Sequence, residues 1–535
     1  MEWLEFQSVG RVFRQNADLR NDETAFIFGG VSTSFGEVNR RTNRLSHSLA
    51  AAGVRPGDNV GMLSHNRVEF FDLIGISKSG MVPVPLNWRF TPGELLAVLE
   101  DSRPKALLVE EEFVSIIEQL RPQLDFVELF IALEGPHDGW TSYAKLTEDA
   151  PDHEPEGWPD GEGVACIVYT SGTTGMPKGV MLGHQQLIVN AGLLVDEAGI
   201  LKAGDVVLAV MPFFHVGGLW YYAFPAFALG CKTIILSNFD PELVLDAMAQ
   251  HKVTSTHIVP TMLAALIEMP DAEIRANSLK RVFYAGSPIP PTVLRQALNT
   301  LNGCDFIQGF GSTEAAGISF LSVADHRLAL SGTEHEKLLL SCGRPFSTTV
   351  VRVDTSSMDN LDASAVGAGE LYVHSPNVML GYWQKPELTH EIMADDLLRT
   401  GDIGRFDDQG YLYLIDRKNN MIVTGGENVF PFEVEQVLSE YPEVLEVAVF
   451  SIPDDHWVEK VVAAVVMRAG ATATESALIA ATRKHLASYK CPKAVIFLDT
   501  LPKSAVGKVQ KNELKDMFSA YRSTFQTNLS SVEVP

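Results

Sequence analysis

Two stretches of this chain resemble each other at a nearly constant offset, and that restricts the folds open to it. "RPGDNVGML" begins at Arg55 and "RFTPGELLAVLEDSRPKALLV" at Arg89. "KAGDVVLAV" begins at Lys202 and "NFDPELVLDAMAQHKVTSTHIV" at Asn238, which is 147 and 149 residues further on. Each pair reads as a strand, then a helix, then a strand. If the repeat is real, the N-terminal part holds two related α/β subdomains, and a cleft between such halves is a usual place for a ligand. The alternative is chance similarity of two βα units.

The middle of the chain keeps the same alternation. "VACIVY", "VVLAVM", "KTIIL", "STHIV" and "RVFYA" read as strands; "PELVLDAMAQH", "TMLAALIEM" and "PTVLRQALNTL" read as helices. Alternation of this kind implies parallel sheets with helices packed on them. From about Gly343 short strands and turns take over, as in a small β subdomain, and "RFDDQGYLYL" reads as a hairpin turning at Asp408-Gln409-Gly410. After Arg417-Lys418-Asn419-Asn420 a compact unit begins, with helices in "FPFEVEQVLSEY" and "TESALIAATRKHL" and strands in "VLEVAVFSI" and "KVVAAVVMR". The expected fold is therefore α/β. A large N-terminal domain over 1–416 holds two related α/β subdomains and a small β subdomain. Residues 417–420 separate it from a smaller α+β domain over 421–535.

Composition narrows the class of partner. With 42 basic and 67 acidic residues the net charge is −25, which argues against nucleic acid, whose backbone needs basic surface. The five cysteines are scattered without CxxC spacing, so neither structural zinc nor a disulfide framework is expected, and reduced thiols fit a cytoplasmic location. The N-terminus lacks a secretory pattern. The most apolar stretch, "VVLAVMPFFHVGGLWYYAFPAFALG", is broken by Pro212, Gly217, Gly218 and Pro225 around His215, so a buried strand, loop and helix is expected and not a membrane span.

Chemistry concentrates in a few loops. "YTSGTTGMPKGV" sets Thr170, Ser171, Thr173 and Thr174 among Gly172, Gly175 and Gly179 and adds Lys178. Glycines let backbone N–H groups turn inward, and hydroxyls and a lysine add donors, which suits a phosphate cradle. It is not a P-loop, since no Ser or Thr follows the lysine. Beside it stand "FHVGG" with His215, "QGFGSTEA" with Gln308, Phe310, Thr313 and Glu314, "RTGDIGRF" with Asp402, "DRKNNMIVTGGEN" with Arg417, and "LPKSAVGK" with Lys508.

Together and in this order, these motifs resemble the adenylate-forming superfamily of acyl-CoA synthetases, luciferases and peptide-synthetase adenylation domains, over nearly the whole chain. The resemblance implies attack of a carboxylate on the α-phosphate of ATP, release of pyrophosphate, and transfer of the acyl group to a thiol, usually that of coenzyme A. A carboxylic acid is already ionised at neutral pH, so the first step needs charge neutralisation and in-line positioning, not a general base.

By that resemblance Thr170, Ser171, Gly172, Thr173, Thr174, Gly175 and Lys178 wrap the ATP phosphates. Phe310 stacks on adenine, with Gly286, Ser287, Gln308, Gly309 and Gly311 around the nucleotide; most relatives carry Tyr at that position, and Phe keeps the stacking face. Thr313 contacts phosphate or magnesium, and Glu314 is the Mg2+ carboxylate. Asp402 takes both ribose hydroxyls, as an acceptor-only group can, and Arg417 supports it. Lys508 reaches the α-phosphate and the attacking carboxylate. His215, Gly217, Gly218, Trp220 and Ser312 shape an apolar acyl pocket. Gly425, Gly426 and Glu427 line a tunnel for coenzyme A, and Asn419 is the pivot of a C-terminal rotation. Asp or Lys is the commoner residue at that pivot. The expected substrate is a hydrophobic fatty or aryl acid. The rivals are an adenylating enzyme that loads a separate carrier protein, a non-catalytic acyl- or nucleotide-binding protein, and an ADP-forming phosphotransferase, which the missing P-loop disfavours. A homodimer is left open.

Overall fold

The computed structural model describes residues 3–156, 161, 163–170, 177–287, 289–332, 334–356, 367–424, 427–454, 457–504 and 509–519. Among these the strands form five sheets. The repeat is real at the level of topology. Strand Asn59–Leu63 lies between Val82–Leu86 and Ala106–Val109, parallel to both, and Leu129–Ala132 extends the sheet beyond Ala106–Val109. Strand Val206–Ala209 lies in the same way between Lys232–Ile235 and Ser255–Ile258, and Arg281–Ala285 extends that sheet.

Local chemistry repeats with the topology. The turn entering each first strand is closed by an aspartate, with Arg55 N–H donating to Asp58 at 2.8 Å and Lys202 N–H to Asp205 at 2.7 Å. The helices Pro92–Ser102 and Pro241–His251 both start with proline after a capping side chain, Thr91 or Asp240, that accepts a backbone N–H of the first turn. Both end on a basic residue in the left-handed region, Arg103 at φ 43° and Lys252 at φ 54°.

The second repeat sits inside the larger sheet. Asp305–Ser312 continues it in parallel, Ala316–Leu321 turns back antiparallel, and Thr24–Phe28 flanks the far side. The two sheets meet across one core in which Phe13, Phe26, Phe71 and Phe227 pack with ring centroids 4.3–6.4 Å apart. The long apolar stretch resolves into the strand Val206–Ala209, a loop, a π-helical turn Leu219–Ala223 and the helix Phe224–Leu229. No helix among the described residues is long and apolar enough to cross a membrane.

Residues 350–417 add a sheet built on Gly369–His374 and Leu397–Phe406, with Leu412–Arg417 returning along the latter as the expected hairpin. From Ile422 onward a separate sheet forms around the long pair Val444–Asp454 and Val458–Met467, covered by the helices Pro431–Ser439, Glu475–Thr482 and Lys511–Ser519.

Three buried histidines are held neutral by burial. His184 Nδ1 accepts the Val9 N–H, His326 is held between the Tyr284 hydroxyl and the Ser322 carbonyl, and His257 faces the Gly217 carbonyl; each is pushed down to about 4. The unfolded chain binds these protons near pH 6.5, and the folded chain does not until about pH 4. Stability therefore rises with pH through that window and is fully present above it; each group contributes about 3 kcal/mol between its limits. Urea midpoints measured from pH 4.5 to 8 are expected to fall on the acid side, and His326→Gln should flatten the slope. An unchanged slope in that variant would remove His326 from the account.

Candidate active site

Several of the residues singled out for chemistry gather at the carboxyl ends of the parallel strands in the larger sheet, where the topology leads one to expect a ligand. Asp305–Ser312 and Ala316–Leu321 form a tight hairpin closed by the pair Ser312 and Ala316, which leaves Thr313, Glu314 and Ala315 as its loop. Ser312 Oγ accepts the Ala315 N–H at 3.0 Å. The turn requires a left-handed residue, and Ala316 takes φ 55°. Gly311 is forced, because a Cβ there would lie 2.0 Å from the Ala316 carbonyl oxygen. The sequence "GFGSTEA" thus encodes a turn that presents Thr313, which is buried, and Glu314, which is half-buried.

Glu314 is held by a tyrosine that the motifs did not single out. Tyr382 donates its hydroxyl to Glu314 Oε1 at 3.0 Å, and the Lys178 ammonium sits 5.5 Å from the centre of the same ring. Burial and the Glu314 carboxylate push the Tyr382 phenol well up, so it stays a donor. One aromatic ring therefore ties Lys178 to the Glu314 carboxylate, combining a cation over a π face with a charge-assisted hydrogen bond. Lys178 lies opposite Thr170 across the hairpin of Val164–Thr170 and Lys178–Gly183, so the two residues mark the feet of the glycine-rich loop. Ser171, Gly172, Thr173, Thr174 and Gly175 lie outside the described residues, as do Gly425, Gly426 and Lys508.

The residues expected to surround the nucleotide line up along neighbouring strand ends. Gly309 is glycine because a Cβ would come within 2.6 Å of the Phe283 ring, and Gly286 because its φ is 91°. Ser287 follows it, and Phe310 is half-buried at the end of its strand. Gln308 is buried, and its amide oxygen has no partner among the described residues, which suits a site built around a group that donates. Asp402 and Arg417 face each other across antiparallel strands with Nε 2.9 Å from Oδ1. Asp402 is buried while the Arg417 side chain is 49% exposed, so the pair presents a carboxylate from below and a guanidinium at the rim.

A second group surrounds Gly217. His215 Nδ1 accepts the Gly217 N–H at 3.0 Å, and the Gly217 carbonyl accepts from His257 Nδ1 at 2.9 Å. A Cβ on Gly217 would lie 3.1 Å from the His215 ring and 3.3 Å from the His257 ring. Gly218 is needed by the turn itself, since a Cβ would lie 2.3 Å from the Pro212 carbonyl oxygen. Ser312 takes part through its carbonyl, which accepts the Tyr221 hydroxyl at 3.1 Å. Trp220 is fully buried in the core, with its ring edge-on to Phe224 at 5.2 Å; a place for it on the pocket wall stays a proposal.

The structure therefore brings Lys178, Glu314 and the hairpin together, pairs Asp402 with Arg417, and sets His215, Gly217 and Ser312 near the same strand ends. Glu427 is exposed on the strand Glu427–Val429, and Asn419 lies in a right-handed 3-10 turn, Lys418–Asn420. Tyr382 escaped the sequence reading because it is a lone residue outside the motifs.

Comparison with known proteins agrees. Residues 13–383 match the AMP-binding enzyme family and residues 433–508 the AMP-binding enzyme C-terminal domain. The chain is 35% identical to an indoleacetate–CoA ligase of Aromatoleum aromaticum, covering 96% of this chain and 98% of the relative. It is 35% identical to a feruloyl-CoA synthase of an Amycolatopsis species, covering 96% and 99%. The solved anthranilate CoA ligase AuaEII, in complex with anthranoyl-AMP, superposes with a TM-score of 0.87 at 25% identity over 97% of this chain and 99% of its own. The chain belongs to the AMP-binding enzyme family, within the adenylate-forming superfamily, and its class is that of the AMP-forming acid–thiol ligases.

Tyr382→Phe tests the bridge, since it keeps the ring under Lys178 and removes the hydrogen bond to Glu314. Pyrophosphate release is expected to fall about tenfold in kcat/KM for ATP. An unchanged value would show that Glu314 holds its position without the tyrosine.

Proposed function

We propose that this protein activates a hydrophobic fatty or aryl carboxylic acid in two steps. The acid and ATP give an acyl-adenylate and pyrophosphate; the thiol of coenzyme A then displaces AMP to give the acyl-CoA. The observation that carries the reading is the Lys178–Tyr382–Glu314 cluster at the foot of a glycine-rich loop, beside a buried Asp402 paired with Arg417.

Each part has work that its chemistry suits. The acid is already an anion, and it must approach a phosphorus surrounded by negative oxygens. Neutralising that charge is the main catalytic demand. Lys178 meets the phosphates from the loop side, and Lys508, assigned by resemblance, approaches the α-phosphate from the C-terminal domain. Glu314 keeps one carboxylate oxygen beyond the one engaged by Tyr382 and fits a hard cation that prefers oxygen donors; Mg2+ bound there would neutralise phosphate charge and orient the leaving pyrophosphate. Asp402 accepts from the ribose hydroxyls, Phe310 supports adenine, and the Gln308 oxygen suits an exocyclic amino group. Gly286, Gly309 and Gly311, with the small Ser287, flank the nucleotide. The acid lies along His215, Gly217 and Ser312. Gly425, Gly426 and Glu427 line the thiol's approach, and the residues around Asn419 let the C-terminal domain exchange Lys508 for that tunnel.

The test is a nucleotide assay that resolves AMP from ADP, with ATP, magnesium, coenzyme A and a panel of fatty and aryl acids. AMP, pyrophosphate and acyl-CoA, all dependent on one class of acid, are expected. AMP without acyl-CoA would point to a carrier-protein acceptor; ADP, or no nucleotide turnover with any acid, would overturn the reading.

Lys508→Ala gives a second check. Adenylation is expected to drop about a hundredfold or more, while thioester formation from supplied acyl-adenylate is largely kept. Equal losses in both half-reactions would contradict the division of labour between the two conformations.

A further inference from the structure

Asn190 is an unexpected residue for its place. It lies in the helix His184–Gly192, which follows the strand Lys178–Gly183 without a break, and it is only 1% exposed. Asparagine is a poor helix former, and burying an amide is costly unless it is bonded. The oxygen is bonded twice: Asn190 Oδ1 accepts the Gly317 N–H at 3.0 Å and the Asn377 Nδ2 amide at 3.2 Å. Asn377 is equally buried, and the same amide also donates to the Gly317 carbonyl at 3.4 Å. The other half of each amide is idle, since Asn190 Nδ2 and Asn377 Oδ1 are buried without a partner among the described residues. What the fold uses at Asn190 is the acceptor.

Both partners lead to Glu314. Gly317 stands at the end of the hairpin loop, where the ladder slips: Phe310 faces Ser319 but Gly311 faces Gly317, which leaves Ile318 as an extra residue. Such a bulge bends its strand and re-aims what the strand carries, here the loop with Thr313 and Glu314. Beside it Ala316 holds its left-handed φ of 55°. A strained bend persists only where its surroundings over-determine it, and Asn190 is one of those surroundings. Asn377 opens the segment that runs to Tyr382. In that segment the Met379 N–H donates to the Glu314 carbonyl at 2.8 Å and the Leu380 N–H to the Met181 carbonyl at 2.9 Å. The contacts form a closed frame. It runs from Lys178 along its strand and helix to Asn190, across to Gly317 and Glu314, and back to Lys178 through the hydroxyl and ring of Tyr382.

We propose that Asn190, with Asn377 as its partner, is a positioning residue that holds the Glu314 hairpin in the setting needed by the magnesium complex of ATP. The role rests on the ligase reading above and deepens it. The frame also says which half of the nucleotide depends on it. Asp402 and Arg417, assigned to the ribose, come from a different sheet, whereas Glu314 and Lys178, assigned to the metal and the phosphates, are both members of the frame.

The experiment is calorimetric and needs no turnover. Full-length enzyme is titrated with α,β-methylene-ATP in the presence of magnesium and, separately, with AMP in its absence. Asn190→Leu, similar in size but without the acceptor, should weaken the magnesium–triphosphate complex about tenfold and AMP by less than about twofold. Asn190→Asp keeps the oxygen and gives up only the idle donor, so it should recover most of the affinity. Combined with Tyr382→Phe, the leucine substitution should cost less than the sum of the two single changes, because both act on Glu314. If Asn190→Leu does not fold, Asn377→Leu and Asn190→Asp carry the same comparison. Equal weakening of both ligands, no weakening of either, or no recovery in Asn190→Asp would make the amide a packing residue and overturn this proposal, with the ligase reading left standing. Failure of the wild-type enzyme to bind either ligand would overturn both.

Discussion

The buried side chain of Asn66 joins the two repeats. It follows the first strand of the first repeat, and its amide donates to the Met211 and Leu236 carbonyls while its oxygen accepts the Phe213 N–H. Its own N–H donates to Ser237. All of these partners lie at the carboxyl ends of strands in the second repeat. A buried amide has no cheap alternative to such partners, so the spacing between the two sheets is set at that point. The loop that begins at Met211 and Pro212 carries His215, Gly217 and Gly218, and Pro212 is the residue against which Gly218 packs. The junction of the two repeats and the loop proposed to hold the acid are thus anchored by the same side chain.

Around that anchor the site is assembled from short pieces of different sheets. Lys178 and Tyr382 come from the small antiparallel sheet, Glu314 from a hairpin on the edge of the large sheet, and Asp402 and Arg417 from the sheet that follows. No single element carries a complete charge-neutralising set. Tyr382 matters because it makes two of these pieces mutually dependent: the ring that faces Lys178 also presents the hydroxyl that orients Glu314. A bound triphosphate would draw on both at once.

Much of this was legible in the sequence, for identifiable reasons. The helices that begin at Pro92 and Pro241 could be read because capping residue, proline and apolar spacing agree, and the repeat could be read because those local signals recur at one offset. Gly309, Gly311 and Glu314 were singled out together through the resemblance of their motif, and the tight hairpin adds the physical reason for Gly311. Tyr382 was not: it reaches Glu314, 68 residues earlier in the chain, and no local pattern announces the contact. Trp220 shows another limit: an aromatic beside a motif histidine reads equally as a pocket wall or as core, and burial alone does not separate the two.

The link between the domains shows how a departure from the common pattern can be absorbed. Asn419, proposed as the pivot by resemblance to a position where Asp or Lys is commoner, lies in a right-handed turn, so the left-handed tolerance of asparagine is not used in this conformation. The segment is held instead by its neighbours. One Asp416 oxygen accepts the Arg417 N–H and the Asn420 amide, and the other accepts the Phe432 N–H from the C-terminal domain. Lys418 pairs with Glu370, which also pairs with Arg399. These contacts surround Asn419 on both sides and leave it exposed between them. Any swing of the C-terminal domain about this residue must release Phe432 or Asn420 from Asp416, whereas the Asp402–Arg417 pair can stay with the N-terminal side. Control of such a swing would therefore rest with Asp416 more than with the residue at the pivot.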